Sequence, residues 1–592
     1  MQVIDPVTLS VVWGGLLATA SEMGSTLLRT AYSMTVREGS DFSTGVFDAE
    51  GNMVAQGDYS PGHLGSMAFT VRQMLHWYPT GTLGEGDAVI CNDPTIGSGH
   101  LPDIFMVMPV FYDAVLIGYA VNIAHHIDVG GSAPGSEEVV GVRETYQEGI
   151  RLLPVRLFVA GAPVPEIMRI IEANVRIKDV LGDLHAQYAA NLVGAARLRA
   201  LAAQYGAAEL ARCMARILVQ SEDQMLAAID AMPPGVYHFE DVLDDVGPGT
   251  APVPFRLALH VRASRPGAPA RIVCDWTGTG PQREAGLNCY MQYTRSYCIA
   301  AIKAVTLPRA PQNFGVIRCI EIIAPAGSYV NPNPGAASGA RSVNASRIYE
   351  VVMGALAHIV PDRVIAASAA ACNPKIGGAL SPATGQPYLA WMSCVGGVGA
   401  HRHRDGFEAT TSPTNGTNTP VEVQEMNAPV LIERLELIAD SAGAGRFRGG
   451  MAVRKDVRLL ADAGRVTNLG DRHTHAPYGL EGGQGGSLAR TVLNPGKDER
   501  DLHSKGTYEL KQGDVLSLRT SGAGGFGDPR TRDPAHVLRD VRSGLVSVQA
   551  AREVFAVVIT GEPPTVDRDA TARLRGLPVA KFLTQMNADK KG

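Results

Sequence analysis

Apolar positions recur at helical spacing over residues 7–32, at Val12, Leu16, Leu17, Met23, Leu27 and Leu28, and predict an amphipathic helix packed on the rest of the fold. Asp5-Pro6 marks its start, because Asp can cap free N–H groups and Pro is pre-set for the first helical position. The pattern then turns strand-like. Phe42–Phe47, a polar turn at Asp48-Ala49-Glu50-Gly51-Asn52 and Met53–Gln56 predict a hairpin, and residues 88–92 a buried strand. Asp103–Tyr112 and residues 115–127, either side of a turn at Asp113-Ala114, predict a second, longer hairpin. Helical spacing returns over 165–232, with Ile167, Ile170, Ile171, Leu181, Leu184, Tyr188 and Leu192. Pro233-Pro234-Gly235 ends it, and strand-like sequence continues to about residue 275. A helix over 347–358, β structure over 373–520 and two short helices at Pro534–Arg542 and 547–555 complete the prediction. The last dozen residues are expected to fray.

These elements describe an α+β, multi-domain chain, β-rich and glycine-rich, with helical segments near the N-terminus, at 165–232 and at the C-terminus. The expected division is a metal-site α+β domain at 1–164, a helical segment at 165–232 and a mixed α/β domain at 233–372. A glycine-rich β domain follows at 373–530, then a helical unit and tail at 531–592. A length of 592 residues exceeds what one core usually serves. The 66 glycines and 37 prolines have no period, which excludes collagen and low-complexity disorder. A net charge of -5 offers no basic field for nucleic acid or anionic lipid, so neither is expected as a partner. The apolar run over 9–20 is shorter than the ~20 residues a membrane crossing needs, and Glu22 closes it. None of the eight cysteines forms a CxxC pair and no leader pattern is seen, so a reducing cytoplasm is the expected location.

Chemistry concentrates at the long hairpin. Asn92-Asp93-Pro94 and Gly97-Ser98-Gly99-His100-Leu101-Pro102-Asp103 lead into it, and His125-His126-Ile127-Asp128 leaves it. With its turn at Asp113-Ala114, paired residue numbers sum to about 227, so His125 faces Pro102 within roughly one residue. The hairpin therefore gathers His100, Asp103 and His125, two imidazoles and a carboxylate, at one end. Such a set holds a divalent metal with positions left open, and suits zinc, manganese or iron. Strand neighbours point to opposite faces, so only one of His125 and His126 is expected as a ligand, and the register favours His125. His126 and Asp128 are assigned weaker roles, orienting a ligand or meeting substrate. Asp41, where the first strand begins, is the candidate general base for a metal-acidified water. Asp58 and His63 read as turn residues. The Asp128-Val129-Gly130-Gly131-Ser132 stretch sits in mid-chain, unlike an ATPase phosphate loop, and the glycine run at 521–529 lacks the Lys-Ser/Thr of a P-loop. Its glycines are expected to serve positive-φ turns. The His401-Arg402-His403-Arg404-Asp405 cluster reads as a solvated or contact loop.

At these residues the sequence resembles the hydantoinase B/oxoprolinase family, whose relatives include the acetone and acetophenone carboxylases. The likeness extends to Asp5-Pro6-Val7-Thr8-Leu9, Asp41-Phe42-Ser43, Tyr146-Gln147-Glu148-Gly149-Ile150-Arg151 and Gly182-Asp183-Leu184-His185-Ala186-Gln187. It continues through Arg446-Phe447-Arg448-Gly449-Gly450 and Gly524-Gly525-Phe526-Gly527-Asp528-Pro529. The resemblance implies a metal-carrying β subunit of an ATP-dependent cyclic-amide hydrolase acting on a hydantoin, 5-oxoproline or lactam ring. It implies an actin-fold, hydantoinase A-like partner that uses ATP with magnesium to phosphorylate the substrate, and an assembly of two α and two β subunits. The family's ligands map to His100, Asp103 and His125, and its proposed base to Asp41. The same scaffold serves ketone carboxylation, which is the alternative reading.

Overall fold

The computed structural model describes residues 4–370, 372–410, 412–414 and 418–576. The dozen terminal residues expected to fray lie outside this range. The chain folds as a mixed helix-and-sheet, multi-sheet protein, as its sequence predicts. The first sheet comprises β1 (Phe42–Phe47), β2 (Met53–Gln56), β3 (Ala88–Cys91), β4 (Asp103–Tyr112), β5 (Val115–His125), β6 (Val155–Val159) and β7 (Ala162–Pro163). Their order is β2-β1-β5-β4-β3-β6-β7, antiparallel throughout, with the long hairpin at the centre.

Both faces of this sheet are covered, which is why β4 and β5 read as almost continuous apolar runs. Ile104, Met106, Ala120 and Ala124 pack with Leu16 and Leu184 from the helices Pro6–Thr30 and Asp179–Tyr205. The alternate residues Phe105, Val107, Val121 and Ile123 enter a larger core with Met67 and Val71 of the helix Pro61–Trp77. Full burial of each such side chain is worth about 1.5–3 kcal/mol, and the period-2 alternation assigns side chains to one layer or the other.

That larger core continues into a second sheet, Ile320–Ile323, Arg271–Asp275, Val253–Arg262 and Gly235–Leu243, with the helices Met291–Thr306 and Asn344–Ala357 against it. The third sheet runs in the order Pro387–Trp391, Lys375–Leu380, Ala463–Leu469, Lys505–Lys511. It shares an apolar core with a fourth, Val430–Ile438, Ala452–Leu459, Val515–Arg519, Arg490–Leu493 and Arg500–Leu502. Buried charges fasten the second sheet to the later ones: Arg347 binds Asp241 and Asp471, and Arg472 binds Asp241 and Glu350. All eight cysteines are buried thiols. No described helix is long and apolar enough to cross a membrane.

Much of the glycine-rich region belongs to no sheet. Its extended segments hydrogen-bond in several directions at once. The segment 397–400 bonds to Ala366 and Ala369, to Phe407, to Gly450 and to Gly524, four neighbours where a sheet strand has two. Such packing brings backbone against backbone. A Cβ on Gly397 would meet Gly450, one on Gly524 would meet Tyr478, and one on Gly449 would meet Ala523. The expectation that the glycines of 521–529 supply positive-φ turns is therefore corrected: in that run only Gly527 has positive φ, and Gly522, Gly524 and Gly525 are required by close approach.

Candidate metal centre

The hairpin register brings the sequence-predicted residues together. Asp103 pairs directly with His125, a sum of 228, because an irregularity at Val110/Phe111 shifts the ladder by one. Both side chains lie on the face of Phe105 and Ile123, turned toward the larger core. His100 comes from the buried loop before β4 and reaches the same corner. Its Nε2 is 3.0 Å from Asp103 Oδ1, and His125 Nδ1 is 3.1 Å from that same oxygen. One ligand atom from each of the three residues fits within a 4.8 Å cluster.

The donor set suits a divalent cation. His100 Nδ1 lies 2.8 Å from the carbonyl oxygen of Gly339, so its N–H donates there and Nε2 keeps its lone pair. That Nε2 is buried and has no hydrogen-bond partner, and neither has His125 Nε2. Burial and the neighbouring Arg341 cation hold the His100 imidazole below its ordinary pKa, which favours the neutral form a metal needs. Burial alone would push Asp103 upward, but His100, His63 and Arg341 hold it well below the usual carboxylate range. Its second oxygen accepts from Ser98 Oγ and Arg341 Nη2, leaving Oδ1 for the two imidazoles.

Asp41 stands at the rim, its side chain about one quarter exposed, where the His125 N–H donates to its backbone carbonyl. His63 connects it to the centre. This residue, expected in a turn, lies in the first turn of the helix Pro61–Trp77, with Nε2 3.6 Å from Asp41 and 3.4 Å from Asp103. Burial disfavours its cation, but the two carboxylates outweigh that and raise its pKa. Asp58 is exposed and lies apart from the cavity.

His126 and Asp128 do not join the three. His126 points to the other face, its Nε2 3.0 Å from Gln187 Oε1 on the Asp179–Tyr205 helix. Asp128 accepts from the backbone of Gly130, Gly135 and Arg176 and from the Arg176 guanidinium, and so shapes the loop beyond β5.

Several cavity residues were not visible as a pattern in the sequence. Glu137 comes from the Asp128 loop, Arg341 from the turn before the Asn344–Ala357 helix, and Tyr293 and Tyr297 from the Met291–Thr306 helix. Trp391 and, behind it, Lys375 come from the third sheet. Arg341 stacks 3.8 Å over the Tyr293 ring while binding Asp103. Glu148 organises this side: it accepts the N–H groups of Ser338 and Gly339, which sets the carbonyl that fixes His100. Burial, with Glu137 adding to it, pushes Glu148 up to about 8 against its backbone hydrogen bonds. The cavity at this corner, about 110 Å3, has room for several water molecules.

A Pseudomonas sp. protein named as the B component of a D-/L-hydantoinase is 31% identical over 593 residues, covering 97% of this chain and 98% of its own. The β subunit of caprolactamase from Pseudomonas jessenii is 30% identical over 577 residues, covering 95% and 97%. The crystal structure of ATP-dependent caprolactamase from that organism matches with a TM-score of 0.88 at 28% identity, over 97% of this chain and 100% of the other. A nucleotide-free acetone carboxylase shares the fold, with a TM-score of 0.88 at 19% identity over 98% and 85%. The hydantoinase B/oxoprolinase family model matches residues 5–529. With a whole-chain match and a shared fold, the chain belongs to the hydantoinase B/oxoprolinase family.

Proposed function

We propose that this chain is the metal-carrying β subunit of an ATP-dependent cyclic-amide hydrolase. It would open a hydantoin, 5-oxoproline or lactam ring that a partner subunit has phosphorylated. The observation that carries this reading is the buried cluster of His100, Asp103 and His125 in a chain about 30% identical to a caprolactamase subunit. Amide resonance makes such a ring a poor electrophile, and phosphorylating its oxygen removes that resonance and creates a leaving group. The partner would be a hydantoinase A-like, actin-fold ATPase that binds ATP with magnesium, in an assembly of two α and two β subunits in the cytoplasm.

A zinc or manganese ion, or iron, bound by His100, Asp103 and His125 supplies Lewis acidity that lowers the pKa of water. The chain's own residues do the rest. Asp41, at the cavity rim, takes the proton of the attacking water. His63, between Asp41 and Asp103, fixes the direction in which Asp41 faces. Tyr293, Tyr297 and Trp391 wall the cavity and limit the water that reaches an activated substrate. The second reading, a ketone carboxylase subunit, draws on the acetone carboxylase fold, at 19% identity against 28% for caprolactamase.

The test uses the chain assembled with its ATPase partner, lactams, hydantoins and ketones, with and without bicarbonate. H100A is expected to lose both metal and ring opening. D41N is expected to keep the metal and lose roughly 100-fold or more in turnover. An H100A enzyme with wild-type metal content and ring-opening rate would overturn the assignment, and bicarbonate-dependent ATP turnover would favour the carboxylase.

A further inference from the structure

Behind the three-residue cluster lies a buried ion pair that the hydrolytic reading leaves without a role. Glu137 and Lys375 are each 3% exposed, and Lys375 Nζ is 2.9 Å from Glu137 Oε2. The other carboxylate oxygen, Oε1, faces His125 Nε2 at 3.7 Å, and that nitrogen has no hydrogen-bond partner. The opposite nitrogen, Nδ1, is at hydrogen-bond distance from Asp103 Oδ1, 3.1 Å, so in the absence of a cation the ring's proton has an acceptor on that side too. We infer that the Glu137–Lys375 pair is a positioning device for the metal centre: it holds the Nε2–H of His125 toward Glu137, so that this ring offers Nδ1 to the cation while His100 offers Nε2. This rests on the metal reading of His100, Asp103 and His125.

A neutral imidazole carries one proton, and the acceptor at one nitrogen decides which nitrogen keeps its lone pair. For His100 that acceptor is the Gly339 carbonyl, which holds the proton on Nδ1. For His125 a carboxylate faces each nitrogen, Asp103 at Nδ1 and Glu137 at Nε2. With Asp103 Oδ1 and Nδ1 both given to a cation, Glu137 is the acceptor left for the ring's proton, and the two rings would then engage the cation through opposite nitrogens. Glu137 could not remain buried and ionised alone, and Lys375 supplies the compensating charge. Stability by itself does not require the pair, since apolar residues of similar size often serve as well in a core. The unpartnered nitrogen of His125 is what gives it a use.

The sources of the parts support the same assignment. Glu137 follows the loop fastened by Asp128. Lys375 begins a strand of the third sheet, and Trp391, opposite it in that sheet, lies 5.7 Å from the His125 ring and 5.5 Å from Lys375 Nζ. The third sheet thus approaches His125 twice, once through the Trp391 ring and once through the Lys375–Glu137 pair.

The experiment measures zinc affinity of the full chain by competition with a chromophoric chelator, beside the melting temperature of the metal-free protein. In E137M/K375M both charges vanish together. The expected result is a melting temperature close to wild type and a zinc Kd raised about 10–100-fold. A Kd within two-fold of wild type in the folded double variant would overturn the inference, because the pair would then be structural only. Should that variant fail to fold, E137Q is measured in its place. A Kd raised at least several-fold is expected there, and an unchanged Kd overturns the inference equally. Wild-type chain that takes up no zinc, manganese or iron would instead overturn the metal reading itself.

Discussion

At the residue scale, the candidate centre rests on groups outside its three residues. Glu148 holds the Ser338-Gly339 backbone, Gly339 fixes the His100 ring, and Arg341, two residues on, balances Asp103. Because Glu148 is pushed up to about 8 from its ordinary 4.5, the folded chain binds its proton more tightly than the unfolded chain does. The associated stability is fully present below about pH 4.5 and is lost as pH rises through about 8. E148Q removes this titration. Melting curves from pH 5 to 9 should show wild type falling relative to E148Q as pH rises, and parallel curves would contradict the assignment. Of the cavity's residues, the sequence made His100, Asp103 and His125 legible, because their spacing around one hairpin implied convergence, and marked Asp41 by its place at the start of a strand and by the family resemblance. Glu137, Glu148, Arg341 and Lys375 are single charged residues in unrelated segments, and only tertiary packing gives them a common address. His63 was hidden for a different reason: Gly57, Ser60, Pro61 and Gly62 around it carry turn chemistry, whereas Pro61 in fact occupies the first position of a helix.

At the scale of elements, the long hairpin was readable almost to the residue. Its apolar runs are bounded by polar turns, and β4 spans the predicted Asp103–Tyr112. The helices Pro61–Trp77 and Met291–Thr306 were not, since their buried polar and small residues blur the apolar stripe. These two helices pack closely and carry His63, Tyr293 and Tyr297 into the cavity. They come close at Gly65, where a Cβ would collide with the Ser296 backbone. G65V should push the helices apart and destabilise the chain by about 1–3 kcal/mol, or more if the helices cannot yield. Because His63 moves with its helix, metal-dependent activity should fall along with the melting temperature. A G65V protein with wild-type values for both would show that the contact is dispensable.

At the scale of the whole molecule, the cavity is a meeting point of distant parts of the chain. The first sheet and the loop before β4 supply His100, Asp103 and His125, the segment 338–342 the groups that anchor them, and the third sheet Trp391 and Lys375. The glycine-rich bundle is built from extended segments whose hydrogen bonds run backbone to backbone in several directions. Amide hydrogen exchange should therefore be slow at Gly406, Gly450 and Gly524, although these residues belong to no strand, and exchange as fast as in exposed loops would refute it. A core of apolar side chains can absorb an altered residue by rotating its neighbours. A lattice of bare peptide units has no such slack: an added methyl group there has nowhere to go except into another main chain. This part of the molecule should therefore tolerate sequence drift least, despite containing almost nothing that could take part in a reaction.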